Sequence, residues 1–491
     1  MAGARPGSGL ACCTGFAPGY PAGMPTQTGS GFVILLASAA AMGGFLFGYD
    51  TAIINGTVEA LRVHFQVGPW AIGQSVSLAL LGSAAGALAA GPLADRVGRR
   101  TVMLAAAILF AVSSIGSGLP FTVWDFVFWR VVGGIAVGAA SVVAPAYIAE
   151  IAPAAMRGRL GSLQQLAIVS GIFAALLANW LLARIAGSAS EPILGAAAWR
   201  WMFWSEILPS ILYGIGAWMV PESPRYLVAR GRDAEAAAIL RRVEPADPGE
   251  RLEAIKASLR QWVPPRMRDL RPKDGGLLLP IVWVGIGLSL LQQLSGINVI
   301  FYYGTSLWQS VGFGEDKAML LNVVTGVVNI LTTLVAIATV DRFGRRPLLL
   351  IGSAAMALFL GMMSAAFLLA PAGADGRPAL TGALAILALV GANGFVVAFG
   401  ASWGPVVWVL LGEMFPNRIR GAALALAACL QWVANYGISS TFPPMAESLG
   451  LGFSYAVYAG FAALSLWFVL ARVRETKGVE LERMGESAPQ R

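Results

Sequence analysis

Asp50 and Arg130 lie within stretches that are otherwise apolar and long enough to cross a bilayer, where a charge costs at least about 2.5 kcal/mol near the centre. Each is expected to face a cavity, and the other. A carboxylate beside an arginine can lose its charge by taking up a proton, whereas the guanidinium cannot. Protonation of Asp50 would then free Arg130 and alter the packing of the two segments. The plainer alternative is a static pair that fixes helix packing. Glu206, also inside an apolar segment, could join them, or be solvated close to the segment's outer end. Neutral amides form a second unusual set: Gln165, Gln292, Gln293, Asn298, Asn329 and Gln431, the last followed by Trp432. Any one of them has the alternative of bonding between helices; the set together points to a polar binding cavity. On a continuous helix Gln292 and Gln293 diverge by about 100°, and Asn298 nears either face only after more than a turn, so a ligand could be held along its length. Trp408 stands four residues after Gly404, where Gly404-Pro405 predicts a helix break and a mobile cavity wall.

These residues must be positioned by membrane-spanning helices. The chain has 491 residues, of which 57% are hydrophobic and 12% charged, too little polar surface to cover soluble globules. Apolar segments of about 20 residues or more recur from end to end. They are expected near 31–55, 70–94, 101–122, 126–148, 160–183, 200–221, 277–304, 318–340, 347–371, 380–411, 421–441 and 451–471, six before a polar insert at about 222–275 and six after it. The insert, with Arg230, Asp233, Glu235 and Arg241, reads as short amphipathic helices on one membrane face. Arg96, Arg99, Arg100, Arg157, Arg159, Arg342, Arg345, Arg346, Arg418 and Arg420 fall in alternate loops on the insert's side, which predicts that the insert and both termini are cytoplasmic. Domain bounds follow: a tail at 1–30, a six-helix half at 31–221, the insert at 222–275, a second half at 276–472 and a tail at 473–491.

The sequence also repeats itself. GPLADRVGRR at 91–100 returns as VDRFGRR at 340–346, and AEIAPAAMRGR at 149–159 returns as GEMFPNRIRG at 412–421. Matching loops after corresponding spans imply two parallel halves about an axis along the membrane normal, with the substrate between them. Asp95, Arg96, Arg100, Glu150 and Arg157, and their counterparts Asp341, Arg342, Arg346, Glu413 and Arg420, place both signs at helix ends on the insert's side. Ion pairs there would latch the halves and break on opening. A topological role alone would account for any one arginine but leaves the acids unexplained.

From residue 31 to residue 482 the chain resembles the sugar-porter family of the major facilitator superfamily. GYDTAIINGT, the two Asp-Arg-x-Gly-Arg-Arg loops, PESPRYL at 221–227, QQLSGIN at 292–298, SWGPVVW at 402–408 and RETKG at 474–478 carry the resemblance, in family order. It implies an all-α integral membrane fold of twelve helices in two pseudo-symmetric halves. It implies a bacterial transporter moving a monosaccharide by alternating access, through the plasma (inner) membrane. At the matched positions Gln165, Gln292, Gln293, Asn298, Asn329, Trp408 and Gln431 would contact the sugar, with Phe47, Tyr302 and Trp432 lining or closing the cavity. Amides suit a pyranose, whose hydroxyls both donate and accept, and an aromatic face suits its C–H surface. The family's proton symporters have aspartate and arginine where Asp50 and Arg130 stand, while animal uniporters typically have asparagine at the first, so proton coupling is the expectation. Family xylose symporters can carry a second glutamine where this chain has Ile172, and Ser295 matches the glucose carriers. Glucose and xylose are expected equally, with galactose and an inositol as further alternatives.

Other classes have less support. Cys12 and Cys13 are adjacent and Cys429 is remote, so neither a disulfide framework nor a metal spacing is visible. His64, the one histidine, offers no triad or metal site. A net charge of +8 lies in short clusters between spans, which argues against a nucleic-acid partner. There is no P-loop, so ATP is not the expected energy source, and neither a cofactor nor an enzymatic activity is predicted. An uncoupled facilitator, a sugar receptor and an exporter of organic cations are the rival functions. The short insert and tail disfavour the receptor, and the amide-rich, carboxylate-poor cavity disfavours the exporter.

Overall fold

The computed structural model describes residues 30–475, apart from 154–155, 245–246, 261–266, 273–275, 372–379 and 417–418. Residues 1–29 of the expected tail at 1–30, and most of that at 473–491, therefore lie outside the described residues, and Ser30 already begins the first helix. Among the described residues, eleven helices are long and apolar enough to span a bilayer. The twelfth span is in two pieces, Ala198–Ser205 and Ile207–Met219, which meet at Glu206. In chain order the others are span 1 at Ser30–Ile53, span 2 at Pro69–Val97, span 3 at Arg99–Gly118, span 4 at Val123–Ile151 and span 5 at Arg157–Ala186. After the broken span 6 come span 7 at Pro280–Leu294 and Ile297–Ser310, span 8 at Glu315–Phe343 and span 9 at Arg345–Leu369. Span 10 is Gly382–Ala401 and Trp403–Met414, span 11 Arg420–Ser448 and span 12 Gly450–Arg472. Large apolar side chains such as Ile108, Ile351, Leu358 and Ile386 stand exposed along these helices, as a lipid-facing surface requires.

Three expectations about helix continuity and extent are corrected. Span 7 is not one helix: Gly296, at φ 79°, turns the chain between its two pieces, so the 100° spacing of a continuous helix does not carry from Gln293 to Asn298. Span 10 breaks at Ser402, not at Gly404-Pro405. Pro405 sits in the first turn of the new helix, where its missing N–H would have had no partner anyway. Span 11, expected to end near residue 441, continues through Pro443 and Pro444. Pro443 cannot donate to the carbonyl of Ser439, and the Tyr303 hydroxyl supplies that bond at 2.8 Å.

Within each half the spans close on small residues. Gly134 and Gly138 of span 4 press against the span 2 backbone so tightly that a Cβ on either would collide with the carbonyl oxygens of Ala79 or Ser83. The sequence repeat is also a structural one. Gly98 and Gly344 adopt φ 97° and 88°, and each leads into a helix whose first N–H groups donate to one carboxylate. Glu222 accepts from Arg99 and Arg100 at the start of span 3, and Glu475 from Arg345 and Arg346 at the start of span 9. The insert forms helices at Pro224–Ala229, Asp233–Val243 and Pro248–Arg260, which pack on one another and on the first half.

Candidate functional site

The break in span 6 places Glu206 beside span 1, where the last turn of that helix carries Asp50. Asp50 and Arg130 are both 3% exposed. Arg130 donates from Nη1 to Asp50 Oδ1 at 2.6 Å and from Nη2 to Oδ2 at 3.2 Å, and also to the Asp50 main-chain oxygen at 3.0 Å. Such a bidentate geometry is the strong form of a carboxylate–guanidinium contact. The Arg130 guanidinium also lies 5.7 Å from the Phe203 ring centroid. Glu206 is 1% exposed, so the alternative of solvation near the outer end is overturned. Its Oε2 accepts from Ser114 Oγ at 2.9 Å, its Oε1 has no partner among the described residues, and the carboxyl lies within electrostatic reach of both Asp50 and Arg130.

A small cavity, with room for about one water, adjoins this group. Asp50 and Arg130 line it together with Tyr302 of span 7 and Trp432 of span 11. Titratable groups of the first half and aromatic groups of the second thus share one space. Phe47 packs its ring 5.6 Å from that of Trp432, again across the two halves.

The amides gather in the second half. Gln292 Nε2 donates at 2.7 Å to the carbonyl of Trp403, the first residue of the helix after the break of span 10, and Gln431 Nε2 donates to Gln292 Oε1 at 2.7 Å. The Gln431 Oε1 has no partner among the described residues. Asn298 Nδ2 donates to Gln293 Oε1 at 2.6 Å across the break of span 7. Asn329 is buried beside Gly400 of span 10. Gln165, on span 5 of the other half, is half-buried. A hydroxylated ligand would thus meet unused amide atoms in partly self-bonded pairs, and would exchange bonds rather than gain them all anew. The two tryptophans of span 10 differ: Trp403 is fully buried and donates to Ser353 Oγ at 2.9 Å, whereas Trp408 is 42% exposed.

The loop motifs form their described pairs differently from the expected latch. Arg99 binds Asp95 at 2.8 Å and Glu150 at 3.1 Å, and Arg345 binds Glu413 at 2.9 Å. Each of these pairs lies within one half. Arg100 and Arg346 donate to the main-chain oxygens of Trp218 and Leu470, and Arg420 to that of Phe415. The main-chain oxygen of Arg96 accepts from Tyr226 and Arg230. The side chains of Arg157 and Asp341 lie outside the described residues, and Arg342 takes part in interactions of its own. Glu222 and Glu475 were not singled out from the sequence, although both sit inside the motifs PESPRYL and RETKG. Burial holds the Glu222 carboxyl above its ordinary pKa, against the N–H groups that favour the charged form.

Contacts between halves concentrate on the side away from the insert. Ala189 N donates to Glu315 at 2.8 Å, Trp180 Nε1 to Asp316 at 3.0 Å, and Tyr436 pairs with Gln74 at 2.9 Å. That side is closed.

A model of the family described as sugar (and other) transporter matches residues 36–488. The chain belongs to the sugar transporter family. It is 60% identical over 471 residues to a glucose transport protein of Synechocystis, covering 94% of this chain and 100% of that one. It is 40% identical over 499 residues to the D-xylose-proton symporter of Escherichia coli K12, covering 94% and 96%. Among solved structures, the inward-open conformation of the E. coli xylose transporter XylE matches with a TM-score of 0.79 and 37% identity, over 92% of this chain and 99% of that one. The sugar transporter fold, with twelve helices in two halves, and a multi-pass membrane protein that is not an enzyme are thereby established.

Proposed function

We propose that this chain imports a monosaccharide of the glucose or xylose type together with a proton, by alternating access across the plasma membrane. The observation that carries the reading is the buried Asp50–Arg130 pair, which borders the same small cavity as Tyr302 and Trp432. Sugar held by Gln165, Gln292, Gln293, Asn298, Asn329 and Gln431, with Trp408, Phe47, Tyr302 and Trp432 as walls, stands next to the group that takes the proton. Neutral Asp50 holds Arg130 more weakly, by neutral acceptors alone, and Glu206 is the carboxylate to which the guanidinium can turn. Movement of span 1 against span 4 then accompanies rocking of the halves. The names of the relatives, a glucose transport protein and a D-xylose-proton symporter, agree with both substrate classes.

The basic loops favour the insert's side and both termini as cytoplasmic. On that orientation the closed side is the outside, in keeping with the inward-open neighbour. The helix-end pairs would then tie helices within each half, with a latch between halves reserved for the outward-open state.

An uncoupled facilitator is the second reading. It is favoured by the third Arg130 bond, to the Asp50 main-chain oxygen, which persists whatever the charge on the carboxyl. Uptake of labelled glucose and xylose into proteoliposomes separates the two. Accumulation above equilibrium that needs an inward proton gradient supports symport, equilibration that ignores it makes the protein a facilitator, and binding without flux revives the receptor.

A further inference from the structure

Asn55 lies five residues beyond Asp50, in the 3-10 turn Ile54–Gly56 that ends span 1, and is 1% exposed. Its side chain reaches into the other half. Nδ2 donates to the carbonyl of Phe301 at 2.9 Å and reaches that of Ile300 at 3.4 Å, while Oδ1 accepts from Thr305 N at 3.1 Å and Thr305 Oγ1 at 2.6 Å. Phe301 and Thr305 are the i and i+4 residues of one helical turn, so the amide bridges the groups that a helix pairs with each other. On the other flank Asn322 Nδ2 of span 8 donates to Thr305 Oγ1 at 3.1 Å and to the Ala318 carbonyl at 2.9 Å. Gly304 makes the room: a Cβ there would collide with Asn322 Oδ1 and lie 3.1 Å from Asn55 Nδ2.

A buried amide with both ends bonded to the backbone of another half is costly to leave unpaired, so the contact is all or none. The helix it holds, Ile297–Ser310, carries Asn298 and Tyr302. We infer that Asn55 is a positioning residue of the transport cycle: it clamps this half-helix on the closed side, which sets Asn298 in the binding cavity and brings Tyr302 over the Asp50–Arg130 pair. Release of the clamp is the step that opens this side. The clamp deepens the transport reading, yet its first test needs neither sugar nor proton.

Val76 of span 2 lines the cavity beside Asp50 and is 4% exposed. With Cys12, Cys13 and Cys429 replaced by Ser, V76C is labelled by a membrane-impermeant maleimide added on the side away from the insert. Asn55→Ala is expected to raise the labelling rate about tenfold or more, because the closed state loses the clamp while the open state loses nothing. Thr305→Val should raise it by about threefold alone and add little in the Asn55→Ala background, as members of one network do. The Michaelis constant for sugar offered from that side should fall and that from the insert's side rise, whereas a merely structural role would slow turnover from both sides alike. An unchanged labelling rate in Asn55→Ala, or full multiplication of the two effects, overturns the clamp. Should Asn55→Ala not fold, Thr305→Val alone decides, with an unchanged rate again overturning it. Labelling that accelerates in a protein that moves no sugar would keep the clamp and reject the transport reading.

Discussion

Replacing Asp50 by Asn separates a proton carrier from a structural ion pair. In the wild type, one pH unit of inward gradient is worth about 1.36 kcal/mol per proton, so a single carrier at Asp50 supports about tenfold accumulation of sugar. If Glu206, with its unpartnered Oε1, carried a second proton, the limit would be about a hundredfold. Asn keeps one oxygen to accept from Arg130 Nη1, the main-chain bond at 3.0 Å remains, and Glu206 is near. The loss of stability should therefore stay below the roughly 3–5 kcal/mol of a buried pair broken outright. The protein should fold. In proteoliposomes Asp50→Asn should exchange labelled sugar in counterflow but bring it only to equilibrium under the gradient. Gradient-driven accumulation by the mutant would refute the assignment, as would a mutant that folds yet has lost counterflow.

Other consequences follow from single contacts. Gln431→Leu removes the donor to Gln292 Oε1 and an acceptor in the cavity, and should raise the sugar's Michaelis constant by about ten- to a hundredfold and lower the melting temperature, because Gln292 Oε1 is left unpaired. Tyr303→Phe leaves the Ser439 carbonyl in span 11 unpaired and should cost about 1–3 kcal/mol, read as a lower melting temperature in detergent. For His64, partial burial and Arg200 lower the pKa below 6.5, so the ring is already neutral above that pH and charges only as pH falls through the lowered value. Its stabilising neutral form is lost toward acid and not toward base. His64→Gln should accordingly leave the pH profile of transport between about pH 6.5 and 8 unaltered, and a shifted profile would implicate the imidazole.

Hydropathy and the repeated loops made most of the architecture legible, because spanning length and basic loops leave strong marks on a sequence. What they conceal is where a span breaks. The turns at Gly296, Glu206 and Ser402 sit inside apolar runs whose average is blind to them, and Gly404-Pro405 drew attention to the wrong side of the break in span 10. The intramembrane charges were readable since no lipid-facing role suits them, and Asp50 and Arg130 do meet. Partners of the loop arginines were not readable: spacing put both signs at the helix ends, but the choice of Glu150 and Glu413 within each half depends on packing. The role of Asn55 was not readable either, because one amide near a span's end is ordinary until the helix it enters is known.

The most direct measurement is of protons and not of sugar. Adding glucose or xylose to de-energised, lightly buffered vesicles that contain the protein should raise the external pH, by about one proton per sugar entering, and Asp50→Asn should abolish the change. Entry of labelled sugar with no pH change in the wild type would contradict symport and leave Asp50 and Arg130 as a structural pair.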